Sequence, residues 1–147
     1  MSLIENKKAR LNYEILETFS AGVELLGLEV KSLRAKLGTI LGARVISRGG
    51  ETYLMNMTIP AYQPNNSPKE YDPVRNRKLL LSKKEIAQIA EAELKKGLTI
   101  VPLSLYNKGR KIKVDIAIVR GKKKYDKRED IKKRDTARDV ARELKDR

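Results

Sequence analysis

The stretch IVPLSLYNKGRKIKVDIAI, residues 100–118, decides the fold. Its second half has a branched aliphatic residue at every second position, which is the period of a strand with one buried face. Those positions are Ile112, Val114, Ile116 and Ile118. Residues 100–106 are a second strand candidate, and the intervening Asn107-Lys108-Gly109-Arg110 has the turn chemistry of a hairpin. The stretch therefore predicts two antiparallel strands.

Two more hairpins are predicted upstream. In residues 43–59, Gly49-Gly50 separates two apolar-rich arms. In the second arm, four side chains are predicted to lie on one face: Tyr53, Met55, Met57 and Ile59. Another hairpin is predicted from Tyr13 to Leu28, with Ala21-Gly22 near its turn. Short alternating strands must close or stack to hide their apolar faces, so the pattern indicates an antiparallel barrel or sandwich.

Two helices are predicted beside the strands. Ser82-Lys83-Lys84-Glu85 is a capping box, which predicts a helix that begins there and stops at Gly97. We expect its apolar stripe to pack on the sheet, and that stripe consists of Ile86, Ile89, Ala90 and Leu94. A short helix is also predicted from the spacing of Val30, Leu33 and Leu37. It would place Lys31 and Arg34 on or beside its exposed side, as candidates for phosphate contact.

Two segments are too polar to build a core. Residues 63–76 contain Pro64, Pro68 and Pro73, which predicts a long surface loop. The last 27 residues hold 12 Lys or Arg and 7 Asp or Glu, with few large aliphatics. We expect that tail to be disordered alone and helical when bound to a partner, through Ala137, Val140, Ala141 and Leu144. The predicted organisation is one domain, residues 1–120, and a basic tail, residues 121–147.

The composition points to a polyanionic partner. The 147 residues include 33 Lys or Arg against 19 Asp or Glu, a net charge of +14, and the isoelectric point is near 10.0. Nucleic acid is the first candidate and an anionic membrane surface the second. The sequence contains no apolar run of about 18 residues and no signal-peptide core, so we expect a cytoplasmic protein that does not associate with membranes.

Catalysis is poorly supported by the residue inventory. The chain has no Cys and no His, which excludes disulfides, thiolate nucleophiles, imidazole chemistry and His-ligated metals. The densest carboxylates lie in the tail, and no phosphate-binding glycine loop is present. We therefore expect no enzyme activity, metal or cofactor. Six Tyr and one Phe form no base-stacking motif, which favours recognition of the backbone and contour of a folded RNA.

Basic residues occur in five clusters along the chain. They are residues 7–10, Lys31 with Arg34 and Lys36, Arg75 with Arg77 and Lys78, residues 108–113, and residues 122–124. Each cluster is also compatible with an ordinary solvated surface.

A series of motifs extends along almost the whole chain. In order they are NKKAR (6–10), YEI (13–15), Phe19 with Ala21-Gly22, GLEVKSLRA (27–35), Asp72-Pro73 with Arg75, RKLLL (77–81), GLT (97–99) with VPL (101–103), Leu105-Tyr106, and GKKKYDKR (121–128). With these motifs the chain resembles the SmpB family, the tmRNA-binding proteins of bacterial trans-translation. The sequence departs from the family pattern at Leu11, Asn12, Ser20, Gly42, Ala43 and Ser82. The family usually has an acidic residue at the position of Ser20.

The resemblance implies an OB-fold-like antiparallel β-barrel with flanking helices. It implies a monomeric adaptor that binds the tRNA-like domain of tmRNA and delivers it, together with elongation factor Tu, to stalled ribosomes. The residues expected to contact tmRNA are Lys7, Arg10, Lys31, Arg34, Arg77 and Lys78. For Leu79 and Leu80 a place in the strand core is the stronger interpretation, and for Glu29 a pair with a neighbouring lysine.

The resemblance also implies a role for the tail. It would occupy the decoding centre and the empty mRNA channel of the small subunit, against 16S rRNA. The residues expected there are Lys122, Lys123, Tyr125, Asp126, Lys127 and Arg128. Two other hypotheses stay open at this point: a general RNA-binding or ribosome-associated protein that does not distinguish tmRNA, and a carboxylate-dependent nuclease.

Overall fold

The computed structural model describes residues 2–62 and 70–121. The predictions for the tail, including its six decoding-centre residues, lie outside the described residues.

The described residues form seven strands and three helices. In chain order they are β1 (Ser2–Glu5), α1 (Ala9–Asn12), β2 (Tyr13–Val23), α2 (Gly27–Arg34), β3 (Arg44–Arg48), β4 (Glu51–Met55), β5 (Arg77–Leu80), α3 (Lys83–Glu93), β6 (Leu98–Lys108) and β7 (Lys111–Gly121).

The strands build one sheet in the order β1-β6-β7-β2-β5-β4-β3, and every ladder is antiparallel. The sheet curls until β3, at one edge, packs near β6, the second strand from the opposite edge. Within the described ranges no ladder joins β3 to β1 or β6, so the sheet is not closed into a barrel. The predicted fold class, a mainly β protein with an OB-like antiparallel sheet and flanking helices, is confirmed, and closure is the one correction.

The hairpin of β6 and β7 is confirmed and carries much of the core. All four alternating residues of β7 face inward and are at most 7% exposed. They pack with Phe19 and Ala21 of β2, Leu33 of α2 and Ile89 of α3. A smaller apolar cluster on the opposite face of the sheet contains Val101, Ala117 and Val119. Long-range packing of the strands therefore holds the helices on the sheet.

The second hairpin is confirmed, but its predicted face is wrong. β3 and β4 pair through a turn at Gly49-Gly50, and the buried residues of β4 are Thr52 and Leu54 rather than Tyr53 and Met55. Asn56, with φ of 62°, ends the alternation. Because this left-handed residue shifts the phase of the chain, Met57 and Ile59 are buried and do not share a face with Tyr53 and Met55.

The hairpin predicted between Tyr13 and Leu28 is wrong. Tyr13–Val23 is a single 11-residue strand that pairs with β7 along its length, and the chain turns only before α2. Gly22 lies inside that strand. A Cβ at Gly22 would lie 3.2 Å from Leu80 Cβ, so the glycine allows β5 to approach closely and does not form a turn.

Both predicted helices exist with shorter apolar faces. In α3, Ser82 Oγ accepts from the Glu85 amide at 3.2 Å, as the capping box requires. The helix ends at Glu93, however, and Leu94 is 88% exposed, so its predicted place in the stripe is wrong. Leu37 lies beyond α2 and is also exposed. Within the described part of the chain, no helix has the length and apolar character needed to cross a membrane.

Gly38 gives a direct test of the packing between α2 and the segment after β4. It has φ of +105°, and a Cβ there would lie 2.9 Å from the Thr58 carbonyl oxygen, beside the Thr39–Thr58 bridge. Gly38→Ala should lower the free energy of unfolding by about 3 kcal/mol, because backbone strain adds to the collision. Gly49→Ala, where φ is +58° and no neighbour lies within 4 Å, should cost only about 1 kcal/mol. Urea unfolding measures both, and equal losses would contradict this packing.

Candidate nucleic-acid interface

Helix α2 begins on a carboxylate that faces the interior. The Leu26 amide donates to Glu29 Oε1 at 2.7 Å, which satisfies one of the free amides at the start of the helix. The Glu29 side chain has no exposed surface. A buried carboxylate is costly unless several donors surround it, so the neighbours of Glu29 must supply them.

Two arginines and one tyrosine supply those donors. Arg77 donates to Glu29 Oε2 through Nε at 2.9 Å and Nη2 at 2.6 Å. Arg75 donates through Nε to Oε2 at 3.1 Å and through Nη2 to Oε1. The Tyr71 hydroxyl donates to Oε2 at 3.0 Å. We call these four residues, Glu29, Tyr71, Arg75 and Arg77, the Glu29 cluster.

The Glu29 cluster also binds backbone carbonyls of the segments around it. Arg77 Nη1 donates to the Met57 carbonyl at 2.6 Å and Nη2 to the Pro73 carbonyl at 3.0 Å. The Tyr71 hydroxyl lies 2.7 Å from the Ile59 carbonyl oxygen. Three separate parts of the chain therefore meet at one carboxylate: the start of α2, the segment after β4 and the segment before β5.

The ionisation of Glu29 follows from these contacts. Burial alone would raise the pKa of Glu29, but the hydrogen bonds from Arg75, the Leu26 amide and Arg77, with the charge of Arg77, outweigh it and lower the pKa below 4.5. Burial, the charge of Glu29 and the hydrogen bond to it raise the pKa of Tyr71 above 10.0. Glu29 is therefore ionised and Tyr71 neutral at pH 7.

These positions correct three sequence-based interpretations. Arg77 is completely buried, so in this structure it does not present its guanidinium to an RNA as predicted. Glu29 pairs with Arg75 and Arg77 rather than with a neighbouring lysine. The predicted surface loop contains Tyr71, which is half-buried against Glu29.

The basic residues of α2 point away from the Glu29 cluster. Lys31 and Arg34 are exposed, as predicted, and their spacing of three residues places them on one side of the helix. Arg34 Nη2 donates to the Arg110 carbonyl at 2.9 Å, which brings α2 next to the turn between β6 and β7. That turn adds exposed charge at Lys108, Arg110 and Lys111.

An apolar groove of about 250 Å³ lies beside these charges. Its apolar lining is Val23, Leu25, Val30, Leu80 and Ile112, and its basic lining is Arg110, Lys111 and Lys113. Leu79 is core, as interpreted, but Leu80 is 52% exposed, so its interpretation as core is wrong. We call this groove together with Lys31 and Arg34 the α2 surface. Aliphatic walls beside cations can accept sugars and bases while the cations contact phosphates.

Residues Lys7 and Arg10 lie in a different region. Lys7 is exposed before α1, and Arg10 belongs to α1. A second groove of about 580 Å³ is lined by Asn6, Lys8, Ala9, Asn12, Tyr13, Leu41, Gly42, Ala43, Arg44, Thr99 and Val101. Three of the positions that depart from the family pattern, Asn12, Gly42 and Ala43, line this groove.

Of the predicted tmRNA contacts, Lys31 and Arg34 thus lie at the α2 surface, and the chain around Lys7 and Arg10 borders the second groove. The second groove reaches β6 at Val101, whereas the α2 surface includes Lys111, which pairs with Lys108 at the end of that strand. At about 3.3 Å per residue, the stretch of β6 from Val101 to Lys108 is about 23 Å long. Lys78 is half-buried in β5 and its Nζ lies 3.5 Å from Glu51. Gly121, where the described chain ends, pairs with Tyr13 beside the second groove.

Acidic side chains do not converge on a metal-binding group within the described residues. No three acidic side chains in residues 2–62 and 70–121 are close enough to hold a metal ion. Ser20 Oγ lies 2.6 Å from the Tyr106 hydroxyl on the exposed face of the sheet. These hydroxyls are suited to hydrogen bonding with a polar partner.

Comparison with known proteins assigns the family. The model of the family described as SmpB protein matches residues 3–146. The chain belongs to the SmpB family. An SsrA-binding protein of Microcystis aeruginosa is 48% identical over 143 residues, which cover 97% of this chain and 93% of the relative. An SsrA-binding protein of Mesoplasma florum is 51% identical over 140 residues, covering 95% and 94%.

A solved structure agrees with this SmpB assignment. Its description is "tmRNA-SmpB: a journey to the center of the bacterial ribosome", and the matched chain is 43% identical with a TM-score of 0.68. The match covers 87% of this chain and 93% of that chain. The family resemblance drawn from the motifs is thereby confirmed.

The Glu29 cluster predicts how this SmpB-family protein responds to acid. Because the folded-state pKa of Glu29 lies below 4.5, its ionised contacts stabilise the fold above that pH and are lost as the pH falls through the folded-state pKa. Glu29→Gln should lower the free energy of unfolding by about 3 kcal/mol at pH 7. The difference from the wild type should shrink as the pH falls below 4.5 and through the folded-state pKa of Glu29. Urea unfolding from pH 7 to pH 3 measures it, and a difference that stays constant would contradict the assignment.

Proposed function

We propose that this protein is an RNA-binding adaptor of trans-translation, which binds the tRNA-like domain of tmRNA and delivers it to stalled ribosomes. The observation that carries the proposal is the α2 surface, which combines exposed cations with an apolar groove in a family member. The solved relative described as a tmRNA-SmpB structure of the bacterial ribosome supports the same partners.

The positions of the basic residues suit a folded RNA. A stretch of β6 about 23 Å long, at about 3.3 Å per residue, runs from Val101 in the second groove to Lys108, the partner of Lys111 in the α2 surface. Each region alone supplies only a few cations, so strong binding requires an RNA that contacts both. Such an RNA must have a contour that matches the spacing between the two regions. Recognition would then depend on shape and on phosphate contacts more than on base sequence. Lys31 and Arg34 would contact the RNA at the α2 surface, and Lys7 and Arg10 beside the second groove.

The finer parts of the proposal follow from the family resemblance. The protein would act as a cytoplasmic monomer, without catalysis or cofactor, in a delivery complex with elongation factor Tu. Its tail, from residue 121, would occupy the decoding centre and mRNA channel through Lys122, Lys123, Tyr125, Asp126, Lys127 and Arg128. The many cations of the tail suit the decoding centre and mRNA channel, because each contact with an RNA phosphate releases counterions and so favours binding.

Paired substitutions test the α2 surface as an RNA contact. The double variant Lys31→Gln, Arg34→Gln should bind the tRNA-like domain of tmRNA about tenfold more weakly and lower the slope of log K against log salt by about 1 to 2. The matched control is Lys95→Gln, Lys96→Gln, which removes the same charge from exposed residues after α3. Electrophoretic mobility shift at several salt concentrations measures both. Equal losses in the two double variants would show that only net charge matters.

Preference among RNAs separates the proposal from a general RNA-binding protein. The wild type should bind the tRNA-like domain of tmRNA more tightly than bulk tRNA of equal length. Equal affinity for unrelated structured RNAs would favour the general role. RNA cleavage that depends on a divalent metal would instead favour a nuclease.

Truncation tests the division of labour between domain and tail. A chain ending at Arg120 should still bind tmRNA, since the α2 surface and second groove precede that residue. It should no longer support peptide tagging on stalled ribosomes in a reconstituted translation reaction. Retained tagging would refute the role of the tail.

A further inference from the structure

We propose that Glu29 is a positioning residue for RNA binding: by joining Tyr71, Arg75 and Arg77, its carboxylate fixes the orientation in which α2 presents Lys31 and Arg34. The proposal rests on the RNA-binding role of the α2 surface proposed above. It assigns to Glu29 and its partners a task beyond stabilising the core, although none of them would contact the RNA.

α2 is attached to the rest of the molecule by polar contacts at its start, middle and end and by the apolar packing of Val30 and Leu33. Near its start, the Glu29 carboxylate receives donors from residues 46 and 48 positions later in the chain. In its middle, Leu33 is buried in the core and Ser32 Oγ donates to the Pro60 carbonyl at 2.6 Å. At its end, Arg34 donates to the Arg110 carbonyl. The Glu29 cluster is therefore the attachment that determines where the first turn of this eight-residue helix lies.

The charges inside the Glu29 cluster make that attachment specific. One carboxylate faces two guanidinium groups, of which Arg77 has no exposed surface and Arg75 has 29% of its side chain exposed. Planar guanidinium groups accept only a narrow set of carboxylate positions when both donate through two nitrogens. Without the carboxylate, two cations would remain close together with one of them buried, so the three segments must separate or rearrange.

A shift at Glu29 is transmitted directly to the basic residues. Lys31 is two positions and Arg34 five positions after Glu29 on the same helix. Because a short helix moves as a unit, a rotation or displacement of its first turn changes where both cations lie relative to the groove at Leu80. Phosphate contacts made at hydrogen-bond distance do not tolerate such displacement.

Positioning and simple electrostatics predict opposite results for one substitution. Glu29→Gln raises the net charge from +14 to +15, since it removes one carboxylate. If Glu29 acted only through its charge, the variant would bind RNA as tightly as the wild type or more tightly. If Glu29 positions α2, the variant binds more weakly and contacts fewer phosphates.

The experiment measures binding of the tRNA-like domain of tmRNA to the full chain at several salt concentrations. We expect Glu29→Gln to bind about tenfold more weakly, with a salt slope lower by about 1 to 2. The matched control is Glu24→Gln, which makes the same charge change at an exposed side chain three residues before α2. That control should bind equally or slightly more tightly. Equal affinity of Glu29→Gln and Glu24→Gln would overturn the proposal.

Two further variants separate positioning from loss of stability. Ile89→Ala removes core volume in α3, which packs on β3 and β6, and should leave RNA affinity unchanged below its unfolding temperature. Tyr71→Phe keeps every charge and removes one hydroxyl from the Glu29 cluster, so we expect about threefold weaker binding.

If Glu29→Gln does not fold, the affinity of Tyr71→Phe for RNA becomes the deciding measurement, and an unchanged affinity would overturn the proposal. Weakened binding by Ile89→Ala equal to that of Tyr71→Phe would also overturn it. Failure of the wild type to prefer tmRNA would instead refute the proposed function.

Discussion

The ionised carboxylate of Glu29 is the constraint on which the helical side of this structure depends. A carboxylate without exposed surface needs donors from every direction, and here they come from the start of its own helix and from Tyr71, Arg75 and Arg77. Arg77 also donates to carbonyls after β4 and before β5, and the Tyr71 hydroxyl lies close to the Ile59 carbonyl oxygen. Electrostatics, and not apolar packing alone, therefore decides where α2 lies on the sheet. α2 contains Glu29 as well as Lys31 and Arg34, so the candidate RNA surface lies next to this contact.

The strands that could be predicted are those in which one face is continuously buried. In β7 the period of two runs from Ile112 to Ile118 without interruption, so the sequence pattern and the packing agree. The same rule was wrong for Tyr53 and Met55 because Asn56 changes the phase of the chain between β4 and Met57. It also failed at Ala21-Gly22, because Gly22 lies inside the long strand β2 and leaves room for Leu80 of the neighbouring β5. Periodicity contains no information on which glycines turn the chain and which permit close packing.

The candidate site could be predicted only where exposure follows from helical spacing. Lys31 and Arg34 were predicted on the open side of α2, and they are exposed. Arg77 was assigned by its charge and its motif, yet the structure buries it against Glu29. The sequence does contain the partners, as an acidic residue in the first turn of a short helix and two arginines after a proline-rich segment. A contact across 48 residues depends on the tertiary fold, so the sequence alone did not reveal it.

Lysine accessibility in the free and RNA-bound protein tests most directly whether the surface organised by Glu29 is the RNA interface. Acetylation with a small reagent, followed by mass spectrometry, reports each lysine separately. The account predicts that the tRNA-like domain of tmRNA protects Lys31, Lys108 and Lys111, whereas Lys95 and Lys96 react equally in both states. Protection of Lys95 and Lys96 with unchanged reactivity at Lys31 would contradict it.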